Sequence, residues 1–310
     1  MSTGGRPAFL GPVRDRVRTC RVRVPLRVPL GGLTFRAAIL VEGPAGWGEF
    51  SPLPGYPADR RRCEDAAWEA AFDGWPEAVR SEVPVNALVP AVDPDTAAAL
   101  AAEASAAGMT AVKVKVGQGS LDDDADRTAA VRAALGPAGR IRLDANGAWD
   151  VDTAVLALDR LARFDLELVE QPVADLGDLA AVRRRIAVPV AADESVRTLE
   201  DARRLAALAA ADAVVVKVQP LGGVRAALAV IEAAGVPAIV SSLYETSVGL
   251  AAGVALAAAL PELPYACGLG TAALLAADVV TDPLVPEAGI LPVRRPTPDS
   301  DLMARWRMEE

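Results

Sequence analysis

Residues 83–270 alternate between short apolar runs and longer segments with helical periodicity. The short runs are rich in β-branched residues, which is typical of parallel strands buried on both faces. They predict eight strands, at residues 83–90, 111–117, 140–145, 166–171, 188–194, 213–218, 236–242 and 265–270. The longer segments predict helices, for example at 95–108, 121–135, 151–164, 198–211 and 223–235. Eight such strands favour a closed parallel barrel over an open doubly wound sheet.

Residues 1–82 do not follow this alternation. Segments 19–30 and 33–43 predict two antiparallel strands joined by a Gly-Gly turn, and 63–75 predicts a helix. The chain resumes a strand-like pattern after the barrel, and we expect this end to return to the N-terminal region. The sequence therefore predicts an α/β barrel over 83–284 and an α+β capping domain over 1–82, completed by 285–310.

Composition excludes several classes of function. The chain of 310 residues has a net charge of −9 and no basic stripe, so nucleic acid is not an expected partner. The longest apolar stretch, residues 247–260, is shorter than the roughly 20 residues that span a bilayer, so membrane insertion is not expected. The first residues lack the apolar run of a secretion signal, and the three cysteines are far apart. These features predict a cytoplasmic protein.

The chain contains no histidine. This excludes Ser-His-Asp and Cys-His relays as well as a histidine-ligated zinc site. A general base acting near neutral pH must then be Lys, Asp, Glu, Tyr or Cys.

Charged residues end five successive predicted strands. The second strand carries Lys113 and Lys115, which point to the same face because side chains alternate along a strand. The sixth strand carries Lys217, and the three strands between end in carboxylates, at Asp144, Glu170 and Asp193. Because parallel barrel strands end at one mouth, we expect the acids to form one wall that holds a divalent cation, with the lysines on opposite sides.

This order of amine, acid and amine suits removal of a proton α to a carboxylate, because a bound cation stabilises the enediolate that forms. The base must be a neutral amine, whereas free lysine has a pKa near ~10.4. Positive charge from the cation and from Lys113 favours the neutral form. We therefore predict that Lys115, nearer the mouth, is the base. Each motif alone has a structural explanation, such as a turn or a helix N-cap, but the order of all five does not.

The chain resembles the enolase superfamily in its muconate-lactonizing-enzyme-like subgroup, and within it the o-succinylbenzoate synthases of menaquinone biosynthesis. The resemblance runs from about residue 20 to 293 and is carried by segments 46–56, 83–92, 112–117, 142–149, 169–172, 192–195, 216–223, 241–250 and 266–271. It implies a modified TIM barrel, (β/α)7β, capped by an α+β domain from both termini. It also implies that Mg²⁺, or Mn²⁺ in its place, is bound by Asp144, Glu170 and Asp193.

The resemblance also implies a reaction. Lys115 would remove the α-proton of 2-succinyl-6-hydroxy-2,4-cyclohexadiene-1-carboxylate and then, protonated, assist loss of the hydroxyl in a syn dehydration. Lys217 would stay positive and stabilise the enediolate from the other face. The partner would be this small carboxylate, and the protein is expected to be a monomer or a weak homo-oligomer.

Further residues are expected around this centre. By resemblance, Ser241, Ser242 and the backbone from Gly268 to Gly270 would hold the substrate's carboxylates, and Arg142 would contact it through water. An alternative is that the serines only end a strand and the glycines only permit a turn. Residues 49–53 are expected to form a loop over the site. Supporting contacts to the ligands are expected from Asn146 and Glu194.

Three other functions stay open. Two lysines on opposite faces also suit 1,1-proton transfer, as in N-succinylamino acid racemases or dipeptide epimerases. A lysine on the sixth barrel strand suits a metal-independent Schiff-base aldolase, although the carboxylates would then have no role. The last alternative is a barrel that serves only as a scaffold.

Overall fold

The computed structural model describes residues 17–30 and 32–308. The N-terminal strands β1 (Thr19–Leu30), β2 (Leu33–Gly43) and β3 (Gly46–Phe50) form an antiparallel sheet in the order β1-β2-β3. The two strands predicted from the sequence are confirmed. Their Gly-Gly turn falls partly on residue 31, outside the described residues.

Helix α1 (Arg60–Trp68) packs on this sheet and continues as a π-helical turn at Glu69–Asp73. The close packing depends on Gly48, because a Cβ at this position would lie 2.0 Å from the carbonyl oxygen of Ala67. Residues from the sheet and from the helix share one buried cluster, formed by Val41, Phe50, Cys63, Ala67 and Ala71.

The central sheet has seven parallel strands that follow one another in chain order. They are β5 (Ala87–Val89), β6 (Ala111–Lys115), β7 (Arg140–Asp144), β8 (Leu166–Glu170), β9 (Val190–Ala192), β10 (Ala213–Lys217) and β11 (Ala238–Ser241).

The eighth predicted strand forms two parallel bridges instead of a regular strand. Gly268 pairs with Ser241 at the end of β11, and Cys267 pairs with Val85, just before β5. The backbone N–H of Gly268 donates to Val240, and that of Cys267 donates to Pro84, at 2.8 Å each. These bridges link the last strand to the first, and the predicted modified (β/α)7β barrel is confirmed.

The first predicted strand is also interrupted. Its start forms β4 (Glu82–Pro84), which pairs outside the barrel with β12 (Ile290–Pro292). Near the chain end, Arg307 bridges to Val22 on β1. The C-terminal segment therefore returns to the N-terminal sheet, as expected.

Helices cover the outside of the barrel, and most begin at an Asp, Ser or Thr that caps their first backbone N–H groups. They are α2 (Pro94–Ala106), α3 (Leu121–Leu135), α4 (Val151–Leu161), α5 (Leu176–Arg183), α6 (Leu199–Leu208), α7 (Val218–Leu221), α8 (Val224–Ala234) and α9 (Ser247–Ala259), with α10 (Ser300–Arg305) near the chain end. Within the described ranges, none of these helices has the length and hydropathy to cross a bilayer.

Alternate residues of each barrel strand face two different cores. The outward residues, such as Val112 and Val114, join the large cluster with the helices. The inward residues of β8 to β11 form a smaller cluster, Leu168, Ala191, Ala213, Val215 and Ile239, against which Tyr265 packs. On β10 the inward series is Ala213, Val215 and then Lys217, so this lysine lies directly above the apolar interior.

Candidate active site

Strand register places three of the predicted residues at one level of the barrel. Lys115 is the partner of Asp144 across β6 and β7, and Asp144 is the partner of Glu170 across β7 and β8. Asp193 follows β9 directly, and Lys217 ends β10. Lys115 and Lys217 therefore lie four strand positions apart, which is half of an eight-membered ring.

The first two carboxylates share an ammonium group. Lys113 Nζ lies 2.9 Å from Asp144 Oδ2 and 2.9 Å from Glu170 Oε1. Lys115 Nζ donates to Asp144 Oδ2 at 2.6 Å and to Asn146 Oδ1 at 2.7 Å. Asp144 and Glu170 are almost fully buried, with 0% and 1% of their surface exposed. These four charges form one compact ionic cluster.

On the other side of the mouth, Lys217 donates to both carboxylate oxygens of Asp193. The ring of Tyr56, from the loop after β3, covers the same ammonium with its centroid 5.1 Å from Nζ. Burial, together with the charge of Asp193, raises the pKa of Tyr56 to about 12 although Lys217 opposes this, so the phenol stays neutral. Tyr56 is not among the site residues predicted from the sequence.

Two amide side chains organise the strand ends. Asn146, at φ 47°, accepts from Lys115 and donates through Nδ2 to Glu194 Oε1 at 2.8 Å. Gln171 accepts from the backbone N–H of Asp193 at 2.7 Å and from the hydroxyl of Ser195 at 3.0 Å. Asn146 and Glu194, which were expected to support the ligands, are thus joined to Lys115. Gln171 was not predicted.

Burial and charge act against each other in this cluster. Burial lowers the pKa of Lys113, but Asp144, Glu170 and Asp193 outweigh it and raise this pKa well above its usual value. Burial raises the pKa of Asp144, but the two lysines beside it bring the pKa below its usual range. Burial and the charge of Asp144 raise the pKa of Glu170 to about 7. Of Asp144 and Glu170, Glu170 is therefore the acid whose charge is less compensated.

The donor set fits a hard divalent cation. Three carboxylates on neighbouring strand ends are the oxygen ligands that Mg²⁺ prefers. The space between Asp144 and Glu170 already accommodates a positive charge, that of Lys113. As the side chains stand, however, the described part of the chain contains no group of three or more acidic or cysteine side chains close enough to share one ion. The ammonium groups pair with the acids instead.

The residues predicted to bind substrate lie at the closure of the barrel. Ser242 Oγ donates to the carbonyl of Gly268 at 2.9 Å and lies 2.8 Å from Thr271 Oγ1. A Cβ at Gly268 would lie 2.7 Å from Ser241 Oγ, so this glycine permits a close approach. Gly270 begins a short 3-10 helix, Gly270–Leu274.

Arg142 lies one layer below the metal-ligand candidates, because it pairs with Lys113 rather than with Lys115. It is 1% exposed, forms an ion pair with Glu167 and donates to the carbonyl of Ala266 at 2.7 Å. Its Nη2 is buried without a partner in the described residues. These contacts make Arg142 part of the barrel interior beneath the site.

Residues 49–53, predicted to form a loop over the site, are the end of β3 and the start of the loop that follows it, and buried polar contacts hold them to the barrel. Ser51 donates its backbone N–H to Gln219 Oε1 at 2.9 Å, and Gln219 Nε2 donates back to Ser51 Oγ at 3.0 Å. Gln219 is two residues beyond Lys217 and also contacts Glu245 at 3.3 Å. Residues 49–53 are thus fixed to the segment that carries Lys217.

Glu49 extends this attachment to helix α9. It accepts from Ser51 Oγ at 2.6 Å, from the hydroxyl of Thr246 and from the backbone N–H of Gly249 at 3.0 Å. Burial, together with the charge of Glu245, raises the pKa of Glu49 to about 7 although hydrogen bonds from Ser51 and Thr246 oppose this.

The chain has only three lysines, and all of them lie in this site. Every other basic side chain is an arginine. Lysine is the basic side chain that loses its proton more readily, and arginine stays charged. The sequence alone shows that lysine occurs only at these three positions.

Comparison with known proteins agrees with this geometry. The protein-family model described as "Enolase C-terminal domain-like" matches residues 96–298, and the family model described as "Enolase N-terminal domain-like" matches residues 21–71. The chain therefore belongs to the enolase superfamily. A solved structure of muconate lactonizing enzyme from Pseudomonas fluorescens superposes with a TM-score of 0.86, covering 94% of this chain and 98% of that one. Its sequence identity is 22%, so this match supports the fold alone.

Two curated relatives point to one group of enzymes within the superfamily. An o-succinylbenzoate synthase from Thermobifida fusca is 60% identical over 88% of this chain and 86% of its own length. Another, from Mycobacterium ulcerans, is 44% identical over 94% of this chain and 88% of its own length. The prediction of an enzyme from this family of hydro-lyases is confirmed.

Proposed function

We propose that this chain catalyses the syn dehydration of 2-succinyl-6-hydroxy-2,4-cyclohexadiene-1-carboxylate to o-succinylbenzoate in menaquinone biosynthesis. The names of the relatives support the reaction. The observation that carries it in this chain is the strand register, which aligns Lys115, Asp144 and Glu170 at one level with Lys217 half a ring away.

A divalent cation, Mg²⁺ or Mn²⁺, is assigned to Asp144, Glu170 and Asp193. When bound, it supplies positive charge that offsets the negative charge developing on the substrate's carboxylate. Lys113 holds Asp144 and Glu170 side by side through its two 2.9 Å contacts.

Lys115 acts as both base and acid. Its neutral amine takes the proton from the carbon next to the carboxylate, and its ammonium then gives a proton to the hydroxyl that leaves as water. The C–H and C–O bonds break on the same face because a single side chain serves both steps, which accounts for a syn elimination. Asn146, which accepts from Lys115 at 2.7 Å, orients the amine.

Lys217 remains an ammonium and faces the opposite side of the substrate. Burial lowers its pKa, but the charge of Asp193 outweighs this and raises the pKa well above the usual value. A fixed cation at this position stabilises the enediolate without exchanging its own proton. Ser241, Ser242 and the backbone at Gly268 and Gly270 are assigned to the substrate's carboxylates.

The test is a spectroscopic assay of o-succinylbenzoate formation by the purified chain, with Mg²⁺ and with excess EDTA. We expect turnover that requires the metal and returns when Mg²⁺ is restored. Metal-independent turnover, with borohydride trapping of a carbonyl substrate at Lys217, would instead identify a Schiff-base aldolase. Inactivity with either substrate class would leave the scaffold alternative.

The nearest rival is 1,1-proton transfer on N-succinylamino acids or dipeptides, in which Lys217 would also exchange a proton. Incubation in D₂O with each substrate class separates the two. Faster α-deuteration and racemisation than dehydration would reverse the assignment. We also propose a cytoplasmic location, a monomer or weak homo-oligomer, and a division into a barrel of residues 83–284 and a cap of 1–82 with 285–310.

A further inference from the structure

Lys217 is enclosed by two unlike groups. On one side both carboxylate oxygens of Asp193 accept hydrogen bonds from the Lys217 ammonium. On the other side the centroid of the Tyr56 ring lies 5.1 Å from Nζ. Only 8% of Lys217 is exposed. A cation over an aromatic face is attracted by the ring quadrupole, and the attraction grows when water is excluded.

The position of Tyr56 is set by the loop that carries it. Five residues earlier, Ser51 is held by two hydrogen bonds to Gln219, which follows Lys217 by two residues. The arginine Arg36 also donates to the carbonyl of Ser51. The loop and the lysine are therefore anchored to the same short segment, so the ring stays in register with the ammonium.

The two contacts of Lys217 differ in availability. The proposed function assigns Asp193 to the divalent cation, and a carboxylate engaged in this way is a weaker partner for an ammonium. The ring carries no formal charge and has no such competing role. It is the contact that can hold the ammonium in place while the carboxylate serves the cation.

We propose that Tyr56 is a positioning residue that holds the Lys217 ammonium through its aromatic face, so that this charge stabilises the transition state. The inference rests on the proposed function for its effect on turnover. The contact itself is independent of that function. Tyr56 is not assigned a step in proton transfer.

A graded ring series isolates the electrostatic contact from shape. Tyr56→Phe sets the reference, and phenylalanine analogues with increasing ring fluorination at position 56 weaken the quadrupole while nearly preserving volume. We expect kcat to fall stepwise, by about five- to thirtyfold in total, with KM and the melting temperature nearly constant. The same analogues at Phe164, whose ring contacts Arg163 away from the site, serve as the control and should leave kcat unchanged.

A second readout does not depend on turnover. Because the chain has three lysines, selective ¹³C labelling of lysine Cε gives three signals, and among the residues that the structure describes Lys217 is the one lysine that lies over an aromatic ring. Its Hε resonances should carry a ring-current shift that persists in Tyr56→Phe and disappears in Tyr56→Leu.

The outcomes separate the two proposals. A wild type that forms no o-succinylbenzoate while its Lys217 signal moves in Tyr56→Leu refutes the function and supports the contact. An active wild type with a flat fluorination series refutes the positioning role alone. A Lys217 signal that is the same in Tyr56→Leu and Tyr56→Phe overturns the inference whatever the activity.

Discussion

Glu49→Gln should change the pH dependence of stability. Glu49 is 3% exposed, and burial raises its pKa from 4.5 to about 7. The unfolded chain releases this proton near pH 4.5, whereas the folded chain keeps it until about pH 7. The energetic penalty of ionising Glu49 is therefore absent at low pH, grows between these values and is complete above pH 7.

The size of the effect follows from that difference in pKa. A shift of one pKa unit corresponds to ~1.4 kcal/mol, so the full penalty is about 3 kcal/mol, most of which develops between pH 5 and pH 8. Glutamine has nearly the same shape and cannot ionise. Glu49→Gln should therefore gain about 2–3 kcal/mol in free energy of unfolding relative to the wild type across this range.

Urea unfolding at intervals from pH 5 to pH 8 measures this difference directly. Glu245 and Arg36, the other charged groups facing Glu49, are present in both proteins. Glu82→Gln, at an exposed position on β4, is the matched control and should show no such trend. A difference between Glu49→Gln and wild type that stays constant within about 1 kcal/mol from pH 5 to pH 8 would refute the reasoning.

Three further predictions concern single contacts. Glu69 accepts from two backbone N–H groups at the start of α8, so Glu69→Ala should lower the free energy of unfolding by about 1–3 kcal/mol in urea titrations, and an unchanged value would contradict this cap. In Gly268→Ala the added Cβ would lie 2.7 Å from Ser241 Oγ, so KM should rise severalfold, whereas the added Cβ of Gly270→Ala would lie 3.5 Å from its nearest neighbour and should leave KM unchanged; equal effects would contradict the role of this close approach. Asp193→Asn should weaken Mn²⁺ binding at least about tenfold in calorimetry, and unchanged affinity would remove it from the ligand set.

Much of the fold was predictable because two separate sequence patterns indicate it. The apolar runs give the strands, and the charged residues that end five of these runs give the direction of the barrel mouth. The closure was harder to predict: residues 265–270 read as a strand, yet they contribute only the bridges of Cys267 and Gly268. Apolar composition alone does not distinguish a segment that forms two bridges from a strand that pairs along five residues.

The site was predictable where residues sit on strands and less so where they come from the cap. Period-two alternation fixes the face of Lys115 and Asp144, so their pairing follows from register. Tyr56 comes from a loop and Gln219 from the short helix α7, and no local sequence pattern determines how either one reaches the site. The restriction of lysine to three positions was a usable signal, since it separates the site's amines from the arginines elsewhere.

The central claim is that Lys115 removes the α-proton and then protonates the leaving hydroxyl, beside a cation held by three carboxylates. Single-turnover formation of o-succinylbenzoate by Lys115→Ala at saturating Mg²⁺, with Mn²⁺ affinity measured on the same protein, tests it most directly. The account predicts a rate lower by about 10²–10⁴-fold with Mn²⁺ bound no more weakly than in the wild type. A Lys115→Ala rate within tenfold of wild type would contradict it.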